Sequence, residues 1–414
     1  MQVKQVNLTN FRNYAQAKVD LCPGKTILIG ENAQGKSNFL EAVEVAATGN
    51  SMRTRADNEL IRWGESRLEL EVLFERQGQI ETVNLSLRQT AQQVRPTRRL
   101  DKQVRINGVI QSAVNALLGK LVTVSFTSQD LDMLKGGPKF RRDWLDGIIL
   151  RLKPAFHDTL TSYQKVVSQR NRLLKEFFEK RRITVTDSDE LAVWDKQLTR
   201  FGSKIIKQRL LTLGEIIPLA RRYQEHLSAS KEVLNADYAF RALASRNNGE
   251  ELSGHDEEWE RTTSYPVVSL KSKIQLEELE LADILGKLLK ERRGEEIYRK
   301  QTLFGPHRDD IEILLNDVSA LAYASQGQQR SLVLSFKLAE LERIRQHFDQ
   351  SPVLLLDDVL AELDVARQGL LMSAVGSNMQ TIITTTHLSR FEPAWLDGAH
   401  ILDVEAGRLS MLKV

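Results

Sequence analysis

Cysteine is almost absent from this chain of 414 residues. The single one, Cys22, excludes an intrachain disulfide and any zinc site built on thiolates, in agreement with a reducing compartment. The seven histidines are scattered and include no ligand-spaced pair. No apolar stretch approaches the roughly 20 residues needed to cross a bilayer. The opening residues, MQVKQVNLTNFRNY, lack the apolar core of a signal peptide, so a cytoplasmic location without membrane contact is expected. A net charge of +3 is too small to mark a nucleic-acid binder, and any such reading must rest on local basic clusters. No internal repeat at solenoid periods is present. Hydrophobic residues at 41% and charged residues at 27% are ordinary values that favour neither disorder nor a membrane class. The length suits about two or three domains and is ample for an enzyme.

What is present begins with IGENAQGKSNF at 29–39. Gly30, Gly35, Lys36 and Ser37 fit the pattern Gly, any four, Gly-Lys-Ser, in which backbone N–H groups cradle phosphates, the lysine neutralises them and the serine hydroxyl ligands Mg²⁺. Such a loop must follow a buried strand and open a helix, so that its N–H groups and the positive helix end converge on one anion. Residues 26–29 supply a short β-branched run, and FLEAVEVAA at 39–47 continues with helix formers at helical spacing. Both flanks argue against a mere glycine turn. The expected nucleotide contacts are Gly30, Glu31, Asn32, Ala33, Gln34, Gly35, Lys36, Ser37 and Asn38.

The loop needs a partner carboxylate, and VLLLDD at 353–358 provides one at the end of an apolar strand. Asp357 is expected to hold Mg²⁺ with Ser37, and Asp358 to orient or polarise water at the γ-phosphate. Upstream, SQGQ at 325–328 opens an amphipathic helix that Ser325 can cap. The N-terminus of that helix is an anion site suited to a phosphate delivered by a second subunit, contacted by Ser325, Gln326, Gly327 and Gln328. His387 ends the strand of TTTHLSRF, where sites collect in open α/β sheets, and is read as a γ-phosphate sensor.

LELEVLF at 68–74 and ETVNLSL at 81–87 alternate with period two and suggest an antiparallel sheet. From Leu160 the period becomes helical. Leu160, Tyr163, Val167, Leu174 and Phe177, interrupted by Arg170, and then Leu191, Trp194, Leu198, Phe201 and Ile205 predict a helical hairpin arm. Residues 352–359 and 380–386 read as buried parallel strands separated by a helix. The expected organisation is an α/β head from 1–150 with 300–414, carrying an antiparallel β lobe, and a helical arm domain at 151–299 with a polar loop near 241–265.

Phosphate loop, Ser-Gln-Gly-Gln signature, strand ending in two acids, AELD at 361–364 and switch histidine, in this order, resemble the head of ABC-type P-loop ATPases. Within that class LTNFRNY (8–14), GENAQGKSNFLEAV (30–43), KGGPKFRRDWLD (135–146), SYQKVVSQRN (162–171), GPHRDD (305–310) and LLLDDVLAELD (354–364) resemble the bacterial RecF family, nearly end to end. The resemblance implies ATP binding and an ATP-dependent homodimer. It also implies association with DNA at gaps and junctions, and partner recombination mediator proteins that help load the recombinase. It makes Gln129 the ATP-sensing glutamine, although TSQD at 127–130 departs from the expected proline and acid, and the insertion-like segment after Arg241 has no counterpart in the pattern. Asp358, where such heads carry glutamate, has a shorter reach to water, so slow hydrolysis is expected.

Three basic clusters are candidate phosphate contacts: RPTRRLDKQVR at 95–105, with Arg95, Arg98, Arg99 and Arg105, KFRR at 139–142, and KRR at 180–182. The first is read as a polar loop without interleaved aromatics. Two alternatives share such a head. A transporter ATPase would couple to membrane helices, and a chromosome-organising head would need a coiled coil of hundreds of residues, for which the span from Lys36 to Asp357 leaves no room.

Overall fold

Alternation of apolar and polar residues builds the first sheet. In β4 (Arg67–Arg76) the side chains of Leu68, Leu70, Val72 and Phe74 are buried, and they lie in register with those of β5 (Gln79–Ala91), Leu70 opposite Leu85 and Val72 opposite Val83. With β1 (Gln2–Phe11), β2 (Tyr14–Asp20), β6 (Arg98–Ile106) and β7 (Val109–Ile110) they form an antiparallel sheet in the order β2-β1-β4-β5-β6-β7. The computed structural model describes residues 1–54, 56–91, 98–180, 184–240, 276–360, 363–376, 378–391 and 393–412. The expected polar loop near 241–265, Arg95, Arg181, Arg182, Ala361 and Glu362 lie outside the described residues.

A second sheet has the order β15-β14-β3-β13-β12-β8, built from β3 (Lys25–Ile29), β8 (Thr123–Thr127), β12 (Val353–Asp357), β13 (Thr381–Thr385), β14 (His400–Glu405) and β15 (Arg408–Met411). All neighbours pair in parallel except β15 at one edge. Val353–Leu356 and the whole of β13 are buried, as strands covered on both faces must be. Helix α1 (Lys36–Thr48) contacts β1, β4 and β5 of the first sheet and β8, β12 and β13 of the second. That double contact explains its apolar run Phe39, Leu40, Ala42, Val43, Val45, Ala46 and Ala47, buried around most of its circumference. The sheets and α1 form one compact unit, Met1–Asp130 with Glu340–Val414.

The other compact unit is Leu131–Ala339. It holds α2 (Asp132–Lys135), α3 (Pro138–Leu152), the hairpin α4 (Phe156–Lys180) and α5 (Val185–Leu227), a helix at Glu278–Glu291 and one at Arg293–Arg299. An antiparallel sheet β11-β10-β9 completes it, from β9 (Leu234–Ala239), β10 (Asp310–Leu315) and β11 (Val318–Ser319). The helix Gln326–Phe348 runs through the division at Ala339. The units therefore part at 130 and 339, whereas the sequence suggested 150 and 300. α3 packs on α5 and β10, and its Arg141 and Asp146 pair with Asp310 and Arg209 at 2.7 Å.

The hairpin stripe differs from the sequence reading at single positions. Val166 is buried where Val167 was expected, and Trp194 and Phe201 are half-buried. Arg170, which looked like an interruption, is fully buried and holds the hairpin together, pairing with Glu296 at 2.5 Å and Asp195 at 2.8 Å and donating to Thr302 Oγ1 at 2.9 Å. Near it His307 donates from Nε2 to Thr302 O and accepts from Tyr163 at Nδ1, and burial, helped by Arg308, lowers its pKa to about 3. Removing one partner of a buried pair strands the other charge. Arg170→Met is accordingly expected to lower unfolding free energy by about 3–5 kcal/mol in urea titration, and Arg170→Met with Glu296→Leu to recover much of that loss.

Candidate nucleotide-binding site

The buried strand β3 ends at Ile29, and the loop 30–35 leads directly into α1. Two glycines make the turn possible. A Cβ at Gly30 would lie 2.4 Å from Val404 O of β14, and Gly35, at φ 119°, would place one 2.6 Å from Asn13 Nδ2. The Gln34 carbonyl accepts from Asn13 Nδ2 at 2.8 Å and from Gly407 N at 2.9 Å, and the Gly35 carbonyl accepts from the Tyr14 hydroxyl at 2.9 Å. Because C=O and the following N–H point oppositely across a trans peptide, these bonds turn the N–H groups of Gly35 and Lys36 away from Asn13 and Tyr14. Asn13 and Tyr14 thus support the loop. The sequence carried them only as part of LTNFRNY, and no spacing signal assigns that role.

Lys36 folds over the loop, its Nζ donating to Gly30 O at 2.8 Å and Glu31 O at 2.7 Å. Burial pushes its pKa below the ordinary lysine value, while the carboxylates of Asp358 and Asp357 oppose that shift. Ser37 Oγ donates to Asp357 Oδ1 at 2.6 Å, joining the two residues expected to hold Mg²⁺. Thr384 Oγ1 donates to the same carboxylate oxygen at 2.8 Å and accepts from Asp358 N at 2.9 Å. It fixes both acids, and its only trace in the sequence is a hydroxyl in a buried strand. A serine hydroxyl and one carboxylate, both hard oxygen donors, fit Mg²⁺, which retains waters and phosphate oxygens in such sites.

The parallel register brings the remaining candidates to the same edge. Asp357 lies opposite Thr127 of β8 and Thr384 of β13, and Thr385 lies opposite Ile29 of β3. Asp358, in left-handed backbone at φ 56°, His387 and Gln129 therefore follow strand ends at the same sheet edge as the phosphate loop, and all three are exposed. Glu31, Asn32 and Ala33 form the exposed tip of the loop. Gln129 also lines an open cavity of about 1590 Å³ with Asn13, Asn38, Arg53, Gln89 and the fully exposed Trp63. On α1, the buried Glu41 accepts from Arg12 at 2.7 and 2.9 Å and from Ser51 at 2.5 Å.

Ser325 to Gln328 belong to the second unit. There Ser325 N donates to Gln328 Oε1 at 2.8 Å and Gln328 N to Ser325 Oγ at 3.3 Å, so the expected cap is a reciprocal capping arrangement. Ser325, Gln326 and Gly327 are exposed. Asp364 of the AELD turn accepts from Arg367 N at 2.9 Å and caps the helix Val365–Val375.

The basic clusters fare differently. Residues 98–105 lie in strand β6 and not in the loop expected, since Leu100, Val104 and Ile106 alternate toward the lobe's core. Arg105 is exposed, donating to Gln103 Oε1 at 3.1 Å, and Lys102 pairs with Asp57 at 2.9 Å. Of KFRR, Arg141 is buried against Asp310 and Arg142 donates to Asp309 O at 2.6 Å, so both are taken up by the fold. Lys180 pairs with Asp187 at 2.9 Å.

Known proteins match this arrangement over its whole length. The family model of the RecF/RecN/SMC N terminal domain matches residues 2–404. The chain is 39% identical to a DNA replication and repair protein RecF from Gloeobacter violaceus, covering 99% of this chain and 98% of that protein. It is 39% identical to its counterpart in Nostoc punctiforme, covering 99% of each. Among solved structures, the recombination mediator protein RecF-ATPrS in the RecFOR pathway superposes with a TM-score of 0.82 at 28% identity, over 99% of this chain and 98% of that one. RecF-ATP superposes with a TM-score of 0.80. The fold is thus the expected ABC-type P-loop ATPase head with an antiparallel β lobe and inserted helices. The chain belongs to the RecF/RecN/SMC N terminal domain family and, within it, to the RecF proteins of DNA replication and repair.

Proposed function

We propose that this protein is an ATP-dependent DNA clamp of recombinational repair and replication restart, dimerising around ATP at gapped DNA and helping to load the recombinase through mediator proteins. The observation that carries this reading is the 2.6 Å bond from Ser37 to Asp357, which unites the phosphate loop with the acidic strand. The relatives' names support the repair role, and the ATP complex among the similar structures supports the ligand.

Lys36 exchanges the Gly30 and Glu31 carbonyls for β- and γ-phosphate oxygens. Ser37 and Asp357 would hold Mg²⁺, which supplies charge neutralisation at those oxygens. Asp358 accepts a proton from, or orients, the attacking water, and its short side chain makes the reaction slow. His387 and Gln129 contact the γ-phosphate region from strand ends at the same sheet edge. Ser325 and Gly327 act on the nucleotide held by the other protomer. Support for that role comes from Gly327 itself, since a Cβ there meets nothing within 4 Å and its φ is not positive. Among the described residues neither a close contact at the Cβ position nor a positive φ calls for glycine in the first helical turn, where it is costlier than alanine by roughly 0.5–1 kcal/mol. Close approach from outside does.

Four outcomes test this reading. Lys36→Ala should weaken ATP binding roughly 10–100-fold in fluorescence titration, the loss of a charged hydrogen-bond donor, while Asp358→Asn should bind ATP and dimerise yet hydrolyse about 10²–10⁴-fold more slowly. Undiminished ATP affinity in Lys36→Ala would overturn the phosphate site. Ser325→Arg should bind ATP as a monomer and fail to dimerise in light scattering, and a Ser325→Arg protein that dimerises like the parent would remove the shared site. DNA affinity should fall steeply with salt, and replacing Arg98 and Arg99 by alanine should flatten the log–log slope by roughly 2. An unchanged slope would move the DNA surface elsewhere.

A further inference from the structure

One carboxylate outside the nucleotide site is bonded to the signature turn. Glu232, between the end of α5 and β9, accepts from Gln328 Nε2 through Oε1 at 2.9 Å and from Gln224 Nε2 through Oε2 at 2.6 Å. Gln224 is fully buried in the last turn of α5, and its Oε1 accepts from the hydroxyl of Ser335, also fully buried, at 2.9 Å. Gln328 and Ser335 stand seven residues apart on one face of the signature helix. The helix is thereby tied to the end of α5 at two heights, which sets both its rotation and its axial position.

We infer that Glu232 is a positioning residue for the signature, holding Gln328 and through it Ser325 in the geometry that meets the second protomer's nucleotide. This rests on the shared-site reading above. The amide orientations suit a carboxylate at position 232. Gln328 Oε1 is used by Ser325 N, and Gln224 Oε1 by Ser335, so each side chain can present only its NH₂ group to residue 232. The two NH₂ groups bond to separate oxygens, Oε1 and Oε2, and glutamine would put an NH₂ group in place of one of them. Electrostatics alone would not place a carboxylate here, because a negative charge beside an anion site opposes an incoming phosphate. Its value is geometric. The same relay connects the signature to α5, whose Arg209 is anchored to Asp146 at 2.7 Å and Pro306 O at 2.6 Å, so displacement at the end of α5 reaches the turn that meets the nucleotide.

The two roles predict opposite signs for Glu232→Gln. A purely electrostatic carboxylate would, on neutralisation, tighten the ATP-dependent dimer, whereas a positioning carboxylate loses one hydrogen bond at each of two symmetric sites. In sedimentation of the full-length protein with Mg²⁺ and ATP, we expect the dimer Kd to rise about 10-fold, with monomer ATP affinity unchanged. In a Gln328→Met background the same substitution should add nothing, because the route is already cut. A tighter or unchanged dimer in Glu232→Gln, or a full additional 10-fold loss in the Gln328→Met background, overturns the inference. If Glu232→Gln lowers the melting temperature, Gln328→Met alone reads the relay from its exposed end, and a parent-like dimer there overturns it equally. Ser325→Arg separates the layers: if it still dimerises with ATP, the shared-site reading itself fails, whereas loss of its dimer with a parent-like Glu232→Gln refutes only the positioning role.

Discussion

The hydrogen bond between Ser37 and Asp357 spans 320 positions of sequence and is the constraint around which the first unit is arranged. It forms only if β3, β13 and β12 are adjacent, parallel and in a register that ends all three strands at one edge. Thr384, from the strand between them, completes the contact by holding both acids. α1 follows from the same requirement. It must begin at Lys36, where its N–H groups and dipole converge on the loop, and it must be apolar around most of its surface because sheets lie on both sides.

The second unit is organised by buried charge. Arg141, Arg170 and Arg209 are each nearly or fully buried, and each pairs with carboxylates supplied by elements distant in sequence. Such pairs add little net stability over apolar packing but are unforgiving of a missing partner, so they define which helices meet and in what alignment. KGGPKFRRDWLD, SYQKVVSQRN and GPHRDD, which read as separate motifs, converge here through Arg141, Asp146, Arg170, His307 and Asp310. The hydrogen bonds of these five side chains are made inside the fold. Rigidity of this unit matters for the signature, because Glu232 and Gln224 transmit the position of α5 to Gln328.

The residues proposed for nucleotide chemistry come from both units. The phosphate loop, Asp357 and Asp358 belong to one, and the turn at Ser325 to Gln328 to the other. A turn that meets a ligand borne by a second copy must be exposed, capped and positioned before the partner arrives. Ser325 and Gln328 cap each other, a Cβ at Gly327 would meet nothing within 4 Å, and the Glu232 carboxylate accepts from Gln328.

The sequence by itself determined the phosphate loop, the acidic strand, the antiparallel lobe, the helical hairpin and the helix cap at Ser325. Each of these is encoded within about ten to twenty residues, as a fixed spacing, a hydrophobic period or a terminal signal. Tertiary structure decided what local pattern cannot encode. Arg170 interrupts an apolar stripe and looks exposed until Asp195 and Glu296 are brought to it. Arg141 and Arg142 look like a surface for phosphates until Asp310 and the Asp309 carbonyl take them. The polar run at 98–105 becomes a strand because β5 offers it a pairing edge, and the support of Asn13, Tyr14 and Thr384 for the site exists only as contacts across distant strands. A charge or a hydroxyl carries no record in the sequence of where its partner will be, and that partner alone fixes whether it serves the surface, the scaffold or the site.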